Sequence, residues 1–379
     1  MFFRAFALAA IVVASLMAPI NDTPVLSQSG KSANTIADLP KPIKHEFNVG
    51  TAPIGRLAYS SKLKLLASTP EFYNFIGVKP RLPIYLWEMP SGRLRDILDG
   101  HGQIIHHIGF APNPALLLSG ASDGIRLWDP IKKIRLEDPL NDVKGWGRPT
   151  PSGKEIFQVD DSGSVLLWDF QTKTIARTFK RTAEELSGNE SAASLSATIS
   201  PNEQFLTVGG GLINHKIIVW DFRTGKIVAV FHHAPEFRQL FFSNDSEYLI
   251  CSGTELRNGV YDKNVLGVWN TKNWQRLYES KTQGDAIVAI ETVLNNKILL
   301  VIEAVRLPEE EDLALTFKST INGYSISTGK QLLSYDTGFS KDTWCQSAVF
   351  MEDINAICIG TNDGQLIFYS VSEIMKKIK

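Results

Sequence analysis

Apolar residues in this chain gather in short, nearly continuous runs, and seven of these runs end in an aromatic residue. The endings are IYLW at Trp87, IRLW at Trp128, VLLW at Trp168, IIVW at Trp220, LGVW at Trp269, INGY at Tyr324 and LIFY at Tyr369. Successive endings lie 41, 40, 52, 49, 55 and 45 residues apart. A period of this size marks a repeat architecture, in which each unit buries its faces only against its neighbours.

Every unit has the same internal grammar. In the second, the segment HGQIIHHIGF is followed by a turn APNP, a strand ALLLSG, a loop ASDG, a strand IRLW, a turn DPIK and a strand KIRLE. Pro fixes φ in such turns, and Asn, Asp and Ser bond their own backbone. Runs such as KILLVIEAV and KIIVW are apolar at successive positions. A sheet wet on one face would alternate instead, so both faces must be covered. The pattern therefore predicts an all-β fold: a seven-bladed β-propeller of four-stranded antiparallel blades. The last unit leaves little room for a fourth strand, and a spare segment at 43–49 precedes the first unit. That segment is expected to complete the last blade and close the ring, which removes exposed strand edges.

The aromatic endings followed by an acid, Trp128-Asp129, Trp168-Asp169 and Trp220-Asp221, resemble the WD-repeat family. Trp87-Glu88, Trp269-Asn270, Tyr324-Ser325 and Tyr369-Ser370 are weaker forms. Gly100-His101 matches the family's Gly-His, and Ser122-Asp123-Gly124 and Asn362-Asp363-Gly364 match its loop before the third strand. The resemblance runs over about residues 43–379. It implies structural repeat positions at Trp87, His101, Asp123, Trp128, Trp168, Trp220, Trp269, Tyr324 and Tyr369. Only the second unit has nearly the full consensus. Many members of the family are platforms for other proteins.

The first residues stand apart. Arg4 precedes an apolar run over 5–18, followed by Pro19. Such a run is too short to span a bilayer of roughly 30 Å and has the form of a secretory core. Residues 1–18 are expected to be a signal peptide, 19–42 a polar linker, and 43–379 the propeller. The expected protein is exported, periplasmic or secreted, of bacterial type, with no membrane span after cleavage. No cysteine follows the run, which excludes a lipid anchor on cysteine. Three cysteines among 379 residues do not make a disulfide framework. The net charge of −1, from 39 basic and 40 acidic residues, argues against nucleic acid as a partner.

Candidate chemistry is sparse. His106 and His107, like His232 and His233, are adjacent in strands and point to opposite sides, so neither pair chelates as a unit. No zinc-type spacing appears, and no metal or cofactor is expected. Gly209-Gly210-Gly211 lacks the Lys-Ser/Thr of a phosphate loop. No serine triad can be nominated, and a non-catalytic role is favoured. The Trp series repeats once per unit and reads as packing rather than a stacking platform.

Length differences point further. From first turn to aromatic ending, units two, three, four and seven take 16, 17, 19 and 17 residues (112–128, 151–168, 201–220, 352–369). Units one, five and six take 26, 25 and 29 (61–87, 244–269, 295–324), and the link at 168–201 takes 33. In an up-and-down blade, second turns and interblade links share one face, so all four insertions land together. Loops on a rigid scaffold are where recognition is usually placed. Phe72, Tyr73, Phe75 and Tyr261 are the expected aromatic anchors, and Glu309, Glu310 and Glu311 an acidic rim. The expected function is a monomeric scaffold binding a protein or peptide there. The alternatives are a secreted propeller enzyme or small-ligand binder, lactonase-like or redox-cofactor-dependent, and a polysaccharide binder.

Overall fold

The computed structural model describes residues 43–44, 52–71, 82–111, 115–136, 147–160, 163–181, 195–210, 216–232, 236–257, 260–282, 284, 286–293, 295–306, 317–340 and 342–376. The expected signal peptide and linker lie outside them. So do Phe72, Tyr73, Phe75, Glu309, Glu310 and Glu311.

Strand β1 is Ile43–Lys44. Blade one holds β2 (Ile54–Ser60), β3 (Leu65–Pro70), β4 (Leu82–Glu88) and β5 (Arg93–His101). Blade two holds β6 (Ile105–Ala111), β7 (Leu116–Ala121), β8 (Gly124–Asp129) and β9 (Ile134–Arg135). In blade three these are β10 (Gly147–Pro149), β11 (Glu155–Val159), β12 (Val165–Asp169) and β13 (Ile175–Phe179). Blade four has β14 (Leu195–Ile199), β15 (Phe205–Gly210), β16 (Lys216–Asp221) and β17 (Ile227–His232). Blade five has β18 (Glu236–Phe242), β19 (Tyr248–Arg257), β20 (Val260–Asn270) and β21 (Arg276–Lys281). Blade six has β22 (Ala286–Val293), β23 (Ile298–Arg306), β24 (Phe317–Ser325) and β25 (Gln331–Asp336). Blade seven has β26 (Cys345–Met351), β27 (Ala356–Thr361) and β28 (Gln365–Ser370), followed by a one-turn helix α1 (Val371–Met375).

The molecule is a seven-bladed propeller of four-stranded antiparallel blades, as the sequence predicts. Its fourth strand in blade seven is β1, paired Ile43↔Leu366 and Lys44↔Gln365. First strands of neighbouring blades touch around the axis, β2 meeting both β6 and β26, while fourth strands form the outer rim.

Burial follows from the covered faces. β2, β3, β22, β26 and β27 are buried at every position, whereas β17 and β21 are largely exposed. Trp128, Trp220 and Trp269 are no more than 2% exposed and sit between blades. Phe231 of blade four stacks on Trp269 of blade five with ring centres 4.9 Å apart. All three cysteines are free and buried, and burial pushes each thiol up.

The acid after the aromatic has a local task. Asp129 Oδ1 accepts from the Ile131 and Lys132 N–H groups at 3.0 and 2.8 Å. Asp169 Oδ1 does the same for Gln171 and Thr172 at 2.8 and 2.7 Å, and Asp221 Oδ1 for Thr224 at 2.6 Å. The turn then closes through a residue at positive φ: Lys133, Lys173 or Gly225. Each donates its N–H to the carbonyl of that acid.

Two expected loops are built differently. In blade five the lengthened stretch is mostly strand: β19 and β20 run on as a hairpin, with Leu256 opposite Tyr261 and Arg257 opposite Val260. In blade six the ladder extends to Arg306 opposite Phe317. A Val-, Leu- and Tyr-containing sequence can keep adding main-chain hydrogen bonds, so the insertion grows the sheet before it turns.

Candidate functional site

Second turns and interblade links share one face of the ring, called here the hairpin face. Side chains there are fixed by a small set of polar staples, each tying a link to the second hairpin of the blade it enters.

Blade two shows the fullest staple. Trp128 donates its indole N–H to Ser119 Oγ at 2.8 Å, and Ser119 Oγ lies 2.7 Å from His101 Nε2. His101 Nδ1 lies 2.7 Å from Asp123 Oδ1, and Asp123 Oδ2 accepts from the Gly102 N–H at 2.8 Å. In one neutral tautomer Nδ1–H donates to Asp123 and Nε2 accepts from the serine; the Arg126 guanidinium lies against the same Nδ1 and donates to Asp123 Oδ2 at 2.9 Å. Burial holds His101 down to about 4, against the partial upward pull of Asp123. Burial alone would raise Asp123, but the Gly102 N–H, His101 and Arg126 together bring its carboxyl below the usual range. A histidine that stays neutral near pH 7 and is buried between a serine and a carboxylate holds the backbone in place. It has no open position for a substrate.

Blade six reaches the same result with other residues. Glu303, fully buried, accepts from the Gly284 N–H at 2.9 Å and from Asn322 Nδ2 at 3.0 Å. The Tyr324 hydroxyl reaches it at 3.5 Å. Burial raises the carboxyl of Glu303 despite the hydrogen bonds that favour its charge. In blade seven Asn362 accepts from the Trp344 N–H at 2.7 Å and donates to the Asp342 carbonyl at 2.9 Å. In blades one and three the aromatic donates to a side chain of the neighbouring second strand, Trp87 to Ser68 at 2.9 Å and Trp168 to Gln158 at 3.2 Å. Tyr369 donates to the Thr337 carbonyl at 2.9 Å.

Near the axis, blades one to three carry positive charge. Arg56 donates to the His106 and Gly55 carbonyls at 2.7 and 2.6 Å. Burial and the neighbouring Arg56 lower Arg148 to about 10, and burial with Arg148 and Arg56 holds His107 neutral. On the blade-seven side Gln346 donates to Glu71 at 2.9 Å. Among the described residues no group of three or more His, Cys, Asp or Glu is arranged to hold a metal ion.

The sequence-derived anchors are not brought together among the described residues. Tyr261 lies in the extended β20, and the others fall outside the described residues. Sequence reasoning missed Glu303, Asn322 and Ser119. An acid inside the apolar run KILLVIEAV was the available signal, since a carboxylate in a buried strand needs hydrogen-bond donors around it.

Residues 92–129, the end of blade one and most of blade two, match the WD domain, G-beta repeat model. The chain is similar to the periodic tryptophan protein 2 homolog of Mus musculus, 29% identical over 24% of this chain and 10% of that protein. It is also similar to the Schizosaccharomyces pombe homolog, 28% identical over 25% of this chain and 12% of that protein. A WD repeat and SOCS box-containing protein 1 of Takifugu rubripes is 32% identical over 24% of this chain and 23% of that protein. The matched stretch thus spans about a tenth to a quarter of these curated relatives. Among the described residues no helix is long and apolar enough to cross a membrane.

Proposed function

We propose that this WD-repeat β-propeller is a non-catalytic scaffold that binds another protein or peptide on its hairpin face. The observation that carries the reading is the growth of the β19–β20 and β23–β24 hairpins, to strands of 9–11 residues, on the one face that the staples hold rigid. Tyr261 lies on such a hairpin, and Phe72, Tyr73 and Phe75 belong to the lengthened connection of blade one. Glu309, Glu310 and Glu311 belong to that of blade six and would steer a basic partner. Central aromatics typically dominate interface energy, while rim charges act on association rate.

Export belongs to the same proposal. Arg4 and the apolar run over 5–18 support a leader, 19–42 a linker, and 43–379 a mature domain in a periplasmic or secreted setting. That setting and a bacterial type rest on the N-terminal sequence alone; the relatives named above are eukaryotic.

The test is paired capture with the mature domain. Tyr261→Ala and a variant with the blade-five hairpin shortened should lose a partner that the parent retains. Charge changes in the turns at Asp129 and Asp169, on the opposite face, should not. The reverse pattern would sink the reading.

A further inference from the structure

We propose that β17, the outer strand of blade four, is a docking edge for an extended, mainly apolar segment of another protein that ends in acidic residues. Each blade ends in a rim strand whose outward N–H and C=O groups have no neighbour in the sheet. Such edges invite a further strand, and proteins usually blunt them with charge. The other six rim strands follow that rule: β1 carries Lys44, β5 several charges, β9 Arg135, β13 Arg177, β21 Arg276, Glu279 and Lys281, and β25 Asp336. Strand β17 reads IVAVFH and has no Asp, Glu, Lys or Arg.

Its side chains are also exposed where they should be covered. Phe231 turns to Trp269 of blade five, so Val228 and Val230 stand on the other face of the strand. They are 43% and 47% exposed, and Ile227 is 40% exposed. Three neighbouring branched apolar residues on an uncharged edge, at and beyond the register shift beside Trp220, combine main-chain donors with pockets for alternate side chains, the chemistry of strand addition.

Two features choose the occupant. Cations stand at one end of the strand, where Arg223 and Lys226 are exposed just before Ile227. The acid beside them, Asp221, is engaged by Thr224. A partner segment with an acidic end complements this arrangement. Shape disfavours a second copy. Two convex rims would meet only along a six-residue strand about 20 Å long, a narrow strip where a standard interface covers ~800 Å² per partner. A slender extended segment has no such limit and can lay its side chains toward β13.

The probe is a short fluorescein-labelled peptide of alternating valine and threonine ending in two glutamates, titrated with the mature protein and read by anisotropy. Saturable binding is expected, stronger than for the same composition broken by prolines. Val228→Lys with Val230→Lys should weaken it about tenfold or more by charging the edge. Because these side chains are exposed, the melting temperature should hold. Lys226→Glu provides a second reading, shifting preference to a peptide ending in two lysines. The proposal stands apart from the hairpin-face reading, since shortening the blade-five hairpin should leave this binding unchanged. Binding no better than the proline control, indifference to the double lysine change, or no shift in preference with Lys226→Glu would overturn it. A dimer in sedimentation that the lysines abolish would assign the edge to a second copy and overturn it equally.

Discussion

Gly360 of the last blade lies against Ile54 of the first so closely that a Cβ on the glycine would sit 2.5 Å from the isoleucine side chain. Ser347 donates to the Ile54 carbonyl at 2.7 Å in the same seam, and the Lys64–Asp353 ion pair spans it on the surface. The first and last blades therefore meet through backbone-level packing as well as through the β1–β28 ladder.

Gly360→Ala should strain this seam, because neither Ile54 nor the backbone behind it can withdraw. Overpacking of this kind costs roughly 1–3 kcal/mol. Thermal unfolding should report a lower midpoint, and removing residues through 44 should lower it further and promote aggregation through the uncovered β28. An unchanged midpoint in both variants would show that the ring does not depend on this closure.

The blade-two staple should make stability sensitive to acid. His101 stays neutral down to about pH 4 in the folded chain, while an unfolded histidine takes up its proton near 6.5. Between those values the unfolded state binds more protons, so stability is fully present above about 6.5 and falls as pH drops through the window. The loss on going from pH 7 to 5 is on the order of 1–2 kcal/mol for this group. Urea midpoints at both values should converge for His101→Gln relative to the parent. A parallel decline in the two proteins would remove His101 from the account.

Glu303 should respond with the opposite sign. Its raised carboxyl means that ionisation is harder in the folded state, so this group disfavours folding as pH rises above the ordinary carboxylate range. Glu303→Gln keeps an acceptor for the Gly284 N–H and removes the buried charge. It should match or exceed the parent in stability at pH 8. Glu303→Ala strands the donors of Gly284 and Asn322 and should cost about 1–3 kcal/mol. Chemical denaturation of the three proteins at pH 8 provides the ranking, and a Gln variant as weak as Ala would contradict it.

Much of this was legible because the propeller repeats a local rule. All seven aromatic endings fall in third strands, and the closing strand was readable from a missing element at one end and a spare one at the other. The acids at 129, 169 and 221 were visible as a motif, and their turn-capping hydrogen bonds explain why it recurs. Glu303 was not legible as a counterpart of Asp123, because the two carboxylates reach equivalent links from different strand positions. The blade-five insertion read as a loop because length alone cannot tell an irregular connection from a ladder that continues past Thr254. The bare edge of β17 was hidden for a related reason: an apolar run looks buried until its place on the rim is known.

Turn capping on the opposite face should be separable from recognition. Asp169→Ala removes the acceptor for two N–H groups and should lower the melting midpoint, as loss of a helix or turn cap does. Lys173→Gly should recover part of that loss by relieving a positive φ of 59°. Melting curves of the single and double variants test this, with partner capture unchanged in all of them.

The central claim is that the hairpin face is the recognition surface, and amide hydrogen exchange of the protein with and without its captured partner addresses it most directly. The account predicts slowed exchange in the β19–β20 hairpin, in the outer parts of β23 and β24, and around Gly102 and Gly284, with turns at 129–133, 169–173 and 221–225 unaffected. Protection confined to those turns, with the hairpins exchanging as in the free protein, would contradict it.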